Sequence, residues 1–254
     1  MVINYIYQAN WPRQFAECGL QKQTPINIDT QSTKYKLLNI KFNYFDHNWS
    51  YKLENNGHSA DLTVTEDELK PSISFNSQNY MFNGLHFHWG TQDNKGSEHS
   101  IDNRFYALEL HFVHYNQKYG SLNNSLTKPD GLLVLGVLAQ LSQTSNLNLK
   151  LLTKAVKQIT KYKSTISIPT NINLQLNKLM PKNINEIFIY KGSLTIPPCY
   201  QSVIWLVIHT PINISIDQLN AFRNLKGKSG NKLLTTRRNI CPLNGRIVYT
   251  TKQK

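Results

Sequence analysis

Leu85-His86-Phe87-His88-Trp89 is the most informative segment of this chain, because Glu109-Leu110-His111 follows it. In a β-strand successive side chains alternate between the two faces. His86 and His88 then share one face, and Leu85, Phe87 and Trp89 take the other. By the same parity Glu109 and His111 share a face that Leu110 and Phe112 oppose. If the two strands are antiparallel neighbours, the three imidazoles converge on one point. Three histidines leave the fourth position of a tetrahedral zinc open to water, which marks a catalytic site and not a structural one. A His-x-His pair alone is more often a surface or structural feature. The second histidine-bearing strand is what brings the metal reading level with that one.

The surroundings suit such a site. The chain has 254 residues, 40% of them hydrophobic, enough for a packed core. No linker, repeat or low-complexity tract divides it, so residues 1–254 read as a single domain. The longest apolar run, Gly131 to Ala139, is too short to cross a bilayer and reads as a central buried strand. Met1 to Asn10 offer neither a basic nor a long apolar region, so no signal peptide is recognised in the sequence as it stands.

The formal net charge is +13, which attracts polyanions. Part of that charge is organised. Lys150, Lys154, Lys157 and Lys161 recur at helical spacing opposite Leu151, Leu152, Val156 and Ile159. A solvated helix face is the more usual explanation of such a stripe. A second cluster holds Lys226, Lys228, Lys232, Arg237 and Arg238. Neither cluster carries a nucleic-acid motif, which argues against specific base readout.

Alternating or β-branched runs recur at Leu38 to Tyr44, Ser59 to Val64, Gly84 to Trp89, Tyr106 to Tyr115, Leu132 to Gln140 and Val203 to His209. Turn signals such as Asn56-Gly57 and Lys128-Pro129-Asp130-Gly131 separate them. Two helices are expected, Leu147 to Lys163 and about Ile216 to Leu225. The second has Ser215 as N-cap and Gln218 in the capping-box position. The fold class read from this pattern is mostly β (α+β), with peripheral helices.

Seven segments in order carry a resemblance: Gln23-Thr24-Pro25-Ile26-Asn27-Ile28, Asn55-Asn56-Gly57-His58, His86-Phe87-His88-Trp89-Gly90, Gly96-Ser97-Glu98-His99, Glu109 to His114, Gly192 to Pro198, and Pro242-Leu243-Asn244-Gly245-Arg246. Together they resemble the α-class carbonic anhydrases from Tyr7 to about Tyr249. The resemblance implies one domain around a large, twisted, mainly antiparallel sheet. It implies zinc on His86, His88 and His111. In that family the metal lowers the pKa of bound water to about 7, and the resulting hydroxide attacks carbon dioxide. The products are bicarbonate and a proton.

The same resemblance assigns further roles. Glu109 orients His111, and the Asn244 backbone carbonyl supports His88. Thr195 accepts a hydrogen bond from the attacking hydroxide, and Glu98 fixes the direction of the Thr195 hydroxyl. His58 takes the proton-shuttle position, which suits an imidazole near neutral pH. Tyr7 and Asn56 order the water chain leading to it. Val113, Leu132, Val134, Leu194, Val203 and Trp205 form an apolar wall for carbon dioxide. His99 and His114 fall outside the ligand set and read as structural.

Several positions depart from the family pattern. Ile196 follows the catalytic threonine where a polar residue is common, which should alter turnover. Gly84 stands where a glutamine often supports the first zinc ligand, so His86 needs support from elsewhere. Asp61 replaces an amide near the shuttle and is expected to raise the pKa of His58. Cys18 and Cys199 match a pair that is disulfide-bonded in secreted and membrane-bound relatives, favouring an oxidising or extracellular location. Cys241 is left over. A rival function on the same fold is adhesion to a sulfated glycan or other polyanion through the basic surface.

Overall fold

The computed structural model describes Tyr5, residues 7–66 and residues 69–253. Met1 to Asn4, Ile6, Asp67, Glu68 and Lys254 lie outside the described residues. The first strands are β1 (Asn27–Ile28), β2 (Lys34–Tyr35), β3 (Ile40–Asn43), β4 (Tyr51–Asn55), β5 (Ala60–Val64), β6 (Ser72–Phe75) and β7 (Gln78–Trp89). After them come β8 (Ser100–Ile101), β9 (Leu108–Asn116), β10 (Leu132–Ser142), β11 (Thr165–Ile168), β12 (Ile187–Gly192), β13 (Val203–Ser215) and β14 (Tyr249–Thr250). The α-helices are α1 (Trp11–Gln14), α2 (Leu122–Ser125), α3 (Leu147–Val156) and α4 (Ile216–Arg223).

Twelve strands form one twisted sheet in the order β11-β4-β5-β7-β9-β10-β13-β12-β14-β2, with β6 and β3 attached beside β7. Most neighbours are antiparallel, but β10 with β13 and β14 with β2 run parallel. The sheet is therefore mixed, and the mostly-β reading stands. β10 shows why the apolar run sits centrally. Leu132 to Ala139 are all buried, flanked by β9 on one side and β13 on the other. A strand buried on both faces needs no polar alternation.

Two elements differ from expectation. β13 does not stop at His209 but continues through Pro211 to Ser215. Its pairing with β10 shifts between Val137 and Ala139, so that Ile208 and Ile212 oppose those two residues. The bulge spans His209 to Pro211 and absorbs the proline that cannot donate to a ladder. α3 ends at Val156 rather than Lys163. The Thr160 carbonyl is occupied by Asn55 Nδ2 at 3.1 Å and by the Lys226 N–H at 2.8 Å, so the chain leaves the helical path. Leu152, Val156 and Ile159 are buried as the period requires, whereas Leu151 is exposed. α4 begins at Ile216 with the Ser215–Gln218 capping box formed.

The strand alternation around the histidines is sharp. Leu85, Phe87, Trp89, Leu110 and Phe112 belong to the larger core on one side of the sheet. His114 points the same way, stacked on Phe45 at 5.9 Å between ring centroids. A smaller core containing Leu132, Val134, Val203 and Trp205 covers the other side. His86, His88 and His111 emerge on that other side.

Cys18 and Cys199 form a disulfide across 181 residues of chain, packed with Trp11. A cross-link over so long a loop restricts the unfolded chain and contributes about 2–5 kcal/mol. Cys18→Ser/Cys199→Ser is expected to lower the denaturation midpoint clearly while keeping the fold. An unchanged midpoint would show that the bridge adds nothing.

Candidate metal centre

β7 and β9 are antiparallel neighbours, with His86 directly opposite His111 and His88 opposite Glu109. Ring centroids lie 5.0 Å apart for His86 and His88, 5.2 Å for His86 and His111, and 4.5 Å for His88 and His111. One nitrogen from each ring falls within 4.8 Å of the others. His88 and His111 are almost wholly buried, and His86 is half-buried at the mouth.

The outward nitrogens of two rings are tied down. His88 Nδ1 lies 2.6 Å from the Thr236 carbonyl. This corrects the expectation for Asn244, whose side-chain amide instead donates to the Gln21 carbonyl at 2.8 Å. Thr236 reaches His88 because its segment runs along the end of β7. The Thr236 N–H donates to the Trp89 carbonyl, and the Trp89 N–H donates to Thr236 Oγ1 at 3.1 Å. No motif marks Thr236 in the sequence; only the path of the chain brings it there.

His111 Nε2 lies 2.8 Å from Glu109 Oε1. The same carboxylate lies 2.7 Å from His99 Nδ1 and accepts the backbone N–H groups of Glu98 and His99 at 2.8 Å each. Burial alone would raise the pKa of Glu109, but His99 and His111 overcome it and hold the carboxyl well below its usual range. Gly136 lies opposite His111 on β10, where a Cβ would stand 3.2 Å from Glu109 Oε1. The glycine leaves the room this carboxylate uses. His99 continues the chain of contacts to Tyr190 Oη at 2.6 Å, which accords with its structural reading.

The inward atoms behave differently. His88 Nε2 and Glu98 Oε2 are buried, 3.5 Å apart, and neither has a hydrogen-bond partner. His111 Nδ1 stands 3.9 Å from the same Glu98 oxygen. Burying an unpaired polar atom is costly, and a cation at the point the rings share would satisfy His88 Nε2. Burial pushes His88 down to about 4, and His86 well below its ordinary value. Burial also lowers His111. All three rings are therefore neutral near pH 7, as metal binding requires. Three neutral imidazoles, two of them with fixed outer partners, fit zinc.

Glu98 is pushed up to about 7, chiefly by burial, against the influence of His111, the Arg238 N–H and the nearby Thr195 hydroxyl. Its Oε1 accepts the Arg238 N–H at 2.7 Å. Thr195 is buried between the half-buried Leu194 and Ile196. The apolar residues expected as a wall gather beside His111. Val113 pairs with Val134, Val134 with Trp205, and Leu132 with Val203. The Trp205 ring lies 4.8 Å from that of His111.

His58 sits in a turn shaped by Asn56, whose Oδ1 accepts the N–H groups of His58 and Ser59 at 2.9 Å each. Gly57 takes φ +88°, and a Cβ there would stand 2.8 Å from the Tyr162 ring. Asn56 thus holds the backbone that presents His58. Tyr7 is 61% exposed. Asp61 pairs with His86 across β5 and β7, and its Oδ1 lies 3.3 Å from where a Gly84 Cβ would be. The carboxylate occupies the space a larger residue at 84 would claim. Burial raises Asp61 to about 6, and the charges acting on it are those of Glu54 and Lys52.

A twisted mixed sheet carrying three converging histidines, an outer carboxylate and an apolar wall defines one class of protein. The profile of the eukaryotic-type carbonic anhydrases matches residues 7–252, and the chain belongs to that family. Among curated relatives, carbonic anhydrase 6 of Mus musculus is 30% identical over 252 residues, covering 95% of this chain and 77% of that protein. Carbonic anhydrase 6 of Canis lupus familiaris is 31% identical over 257 residues, covering 95% of this chain and 76% of that protein.

Proposed function

We propose that this chain catalyses the reversible hydration of carbon dioxide to bicarbonate and a proton, using zinc held by His86, His88 and His111. The observation that carries the proposal is the buried, unpartnered His88 Nε2 aimed at the point the three rings share. Zinc bound there would lower the pKa of a fourth-position water to near 7 and so supply hydroxide at neutral pH.

The chain's own residues do the rest. Thr236 and Glu109 fix the ring orientations of His88 and His111, so the inner nitrogens need no reorganisation. Glu98, beside Thr195, directs the threonine hydroxyl toward the reacting oxygen. Val113, Val134, Leu194 and Trp205 present a dry surface, which suits an apolar gas. Ile196 adds bulk at the mouth. His58 carries the released proton out to buffer.

His58→Ala tests this assignment. Turnover in dilute, non-imidazole buffer should fall about tenfold or more, with kcat/KM nearly unchanged. Added imidazole should restore it. Equal turnover in both proteins would remove His58 from the pathway. The polyanion alternative rests on the lysines of α3 and the turn after it, all exposed. A solvated helix face accounts for them.

A further inference from the structure

The sheet carries a second concavity on the face opposite the metal centre. β12 and β13 pair so that Ile189 faces Leu206 and Lys191 faces Ile204. Strand parity puts Ile189, Lys191 and Ile204 on one face and Trp205, the neighbour of His111, on the other. Ile189 and Ile204 belong to the larger core, with Phe75 and Tyr80. These four side chains and Tyr249 line a cleft of about 600 Å³. That is the size of a small-molecule site, and its floor is formed by the outermost side chains of a hydrophobic core.

The rim is cationic. Lys22, Lys36, Lys191 and Arg246 all border the cleft. Lys191 stands above the apolar floor, exposed to solvent. Lys36 Nζ lies over the Tyr249 ring, 4.9 Å from its centroid. Arg246 is held in place by the carbonyls of Leu243, Lys191 and Pro242, and it also caps the Tyr190 ring. None of these partners neutralises the guanidinium. Among the described residues Asp130 is the acid bordering the cleft, and it is already engaged by Lys118 at 2.5 Å and the Tyr119 hydroxyl at 2.7 Å. The cleft therefore joins an apolar floor to an uncompensated positive rim.

We propose that this cleft binds a small organic anion with an apolar body, an aryl or alkyl carboxylate or sulfonate. The ring or chain packs on Phe75, Ile189 and Ile204, and the anionic head meets Lys36, Lys191 and Arg246. The site shares no residue with the histidine cluster, so occupation is independent of the bound metal.

The probe is 8-anilinonaphthalene-1-sulfonate, titrated by fluorescence against the full chain with its metal in place. Its uncharged analogue N-phenyl-1-naphthylamine serves as the control. Saturable one-to-one binding is expected, weaker for the neutral compound and weakened by salt. Lys36→Glu/Lys191→Glu changes two exposed side chains, so the fold and carbon dioxide hydration should persist while affinity for the sulfonate falls about tenfold or more. A second variant, Ile204→Asp, attacks the floor and should weaken both compounds. The proposal is overturned if the double variant binds the sulfonate like the unaltered chain. Equal affinity for the charged and neutral compounds, or loss of binding when the metal is stripped, would overturn it too.

Discussion

His88→Ala should leave the protein without stoichiometric zinc and without measurable carbon dioxide hydration. The expected loss exceeds the ~10–100-fold that removing an outer partner costs a metal site, because a ligand itself disappears. Two nitrogens cannot enclose the point that three now share. The neighbouring groups make the prediction sharper. His88 Nε2 lies 3.5 Å from Glu98 Oε2, and both are buried without partners. Alanine removes the first and leaves the carboxylate facing a void. It also strips the Thr236 carbonyl of its contact with Nδ1. A buried acceptor left unpaired costs about 1–3 kcal/mol, so the metal-free variant should also unfold more easily than the metal-free parent. Metal analysis and hydration kinetics on one sample check the first part, and urea unfolding checks the second. Retention of one zinc per chain would mean that the ligand set is wrong.

Glu109→Ala should produce the largest loss of stability of any single change at the site. The carboxylate receives four contacts, from the His99 and His111 rings and from the N–H groups of Glu98 and His99. All are buried, so water cannot replace it. Breaking a buried charged network by deleting one partner costs about 3–5 kcal/mol. His111 would also lose the acceptor that fixes its ring, and zinc affinity should fall ~10–100-fold. Glu109→Gln keeps the volume but turns an amide N–H toward groups that are themselves donors, so it should rescue little. Thermal unfolding and competition with a zinc chelator measure the two effects separately. A variant that melts like the parent and holds zinc as tightly would show that this network is incidental.

The histidine site was legible because it obeys a period of two. Leu85 to Trp89 and Glu109 to Phe112 each declare two faces, and the antiparallel pairing of β7 with β9 joins the polar ones. The central strand β10 was legible for a related reason, since an unbroken apolar run fits only where both faces are covered. What stayed hidden depends on chain path. Thr236 supports His88 from a segment without regular structure, 148 residues away. Its role is carried by a backbone carbonyl, which every residue type possesses. Asn244 sat inside a recognisable motif and drew the assignment wrongly. β13 was cut short at a proline whose cost the bulge absorbs. Asp61 was read for its charge near His58; that it also stands opposite His86 and beside Gly84 was not foreseen. Cross-strand register decides such neighbours, and a sequence read one strand at a time does not contain it.

The proposed function requires that His86, His88 and His111 hold zinc and that the loaded protein hydrate carbon dioxide. Stopped-flow hydration on one preparation, first stripped of metal and then restored with one equivalent of zinc, tests it most directly. Negligible catalysis is expected in the stripped protein and fast hydration on restoration, saturating at one zinc per chain. A restored protein that binds zinc at His86, His88 and His111 yet hydrates carbon dioxide no faster than buffer would contradict it.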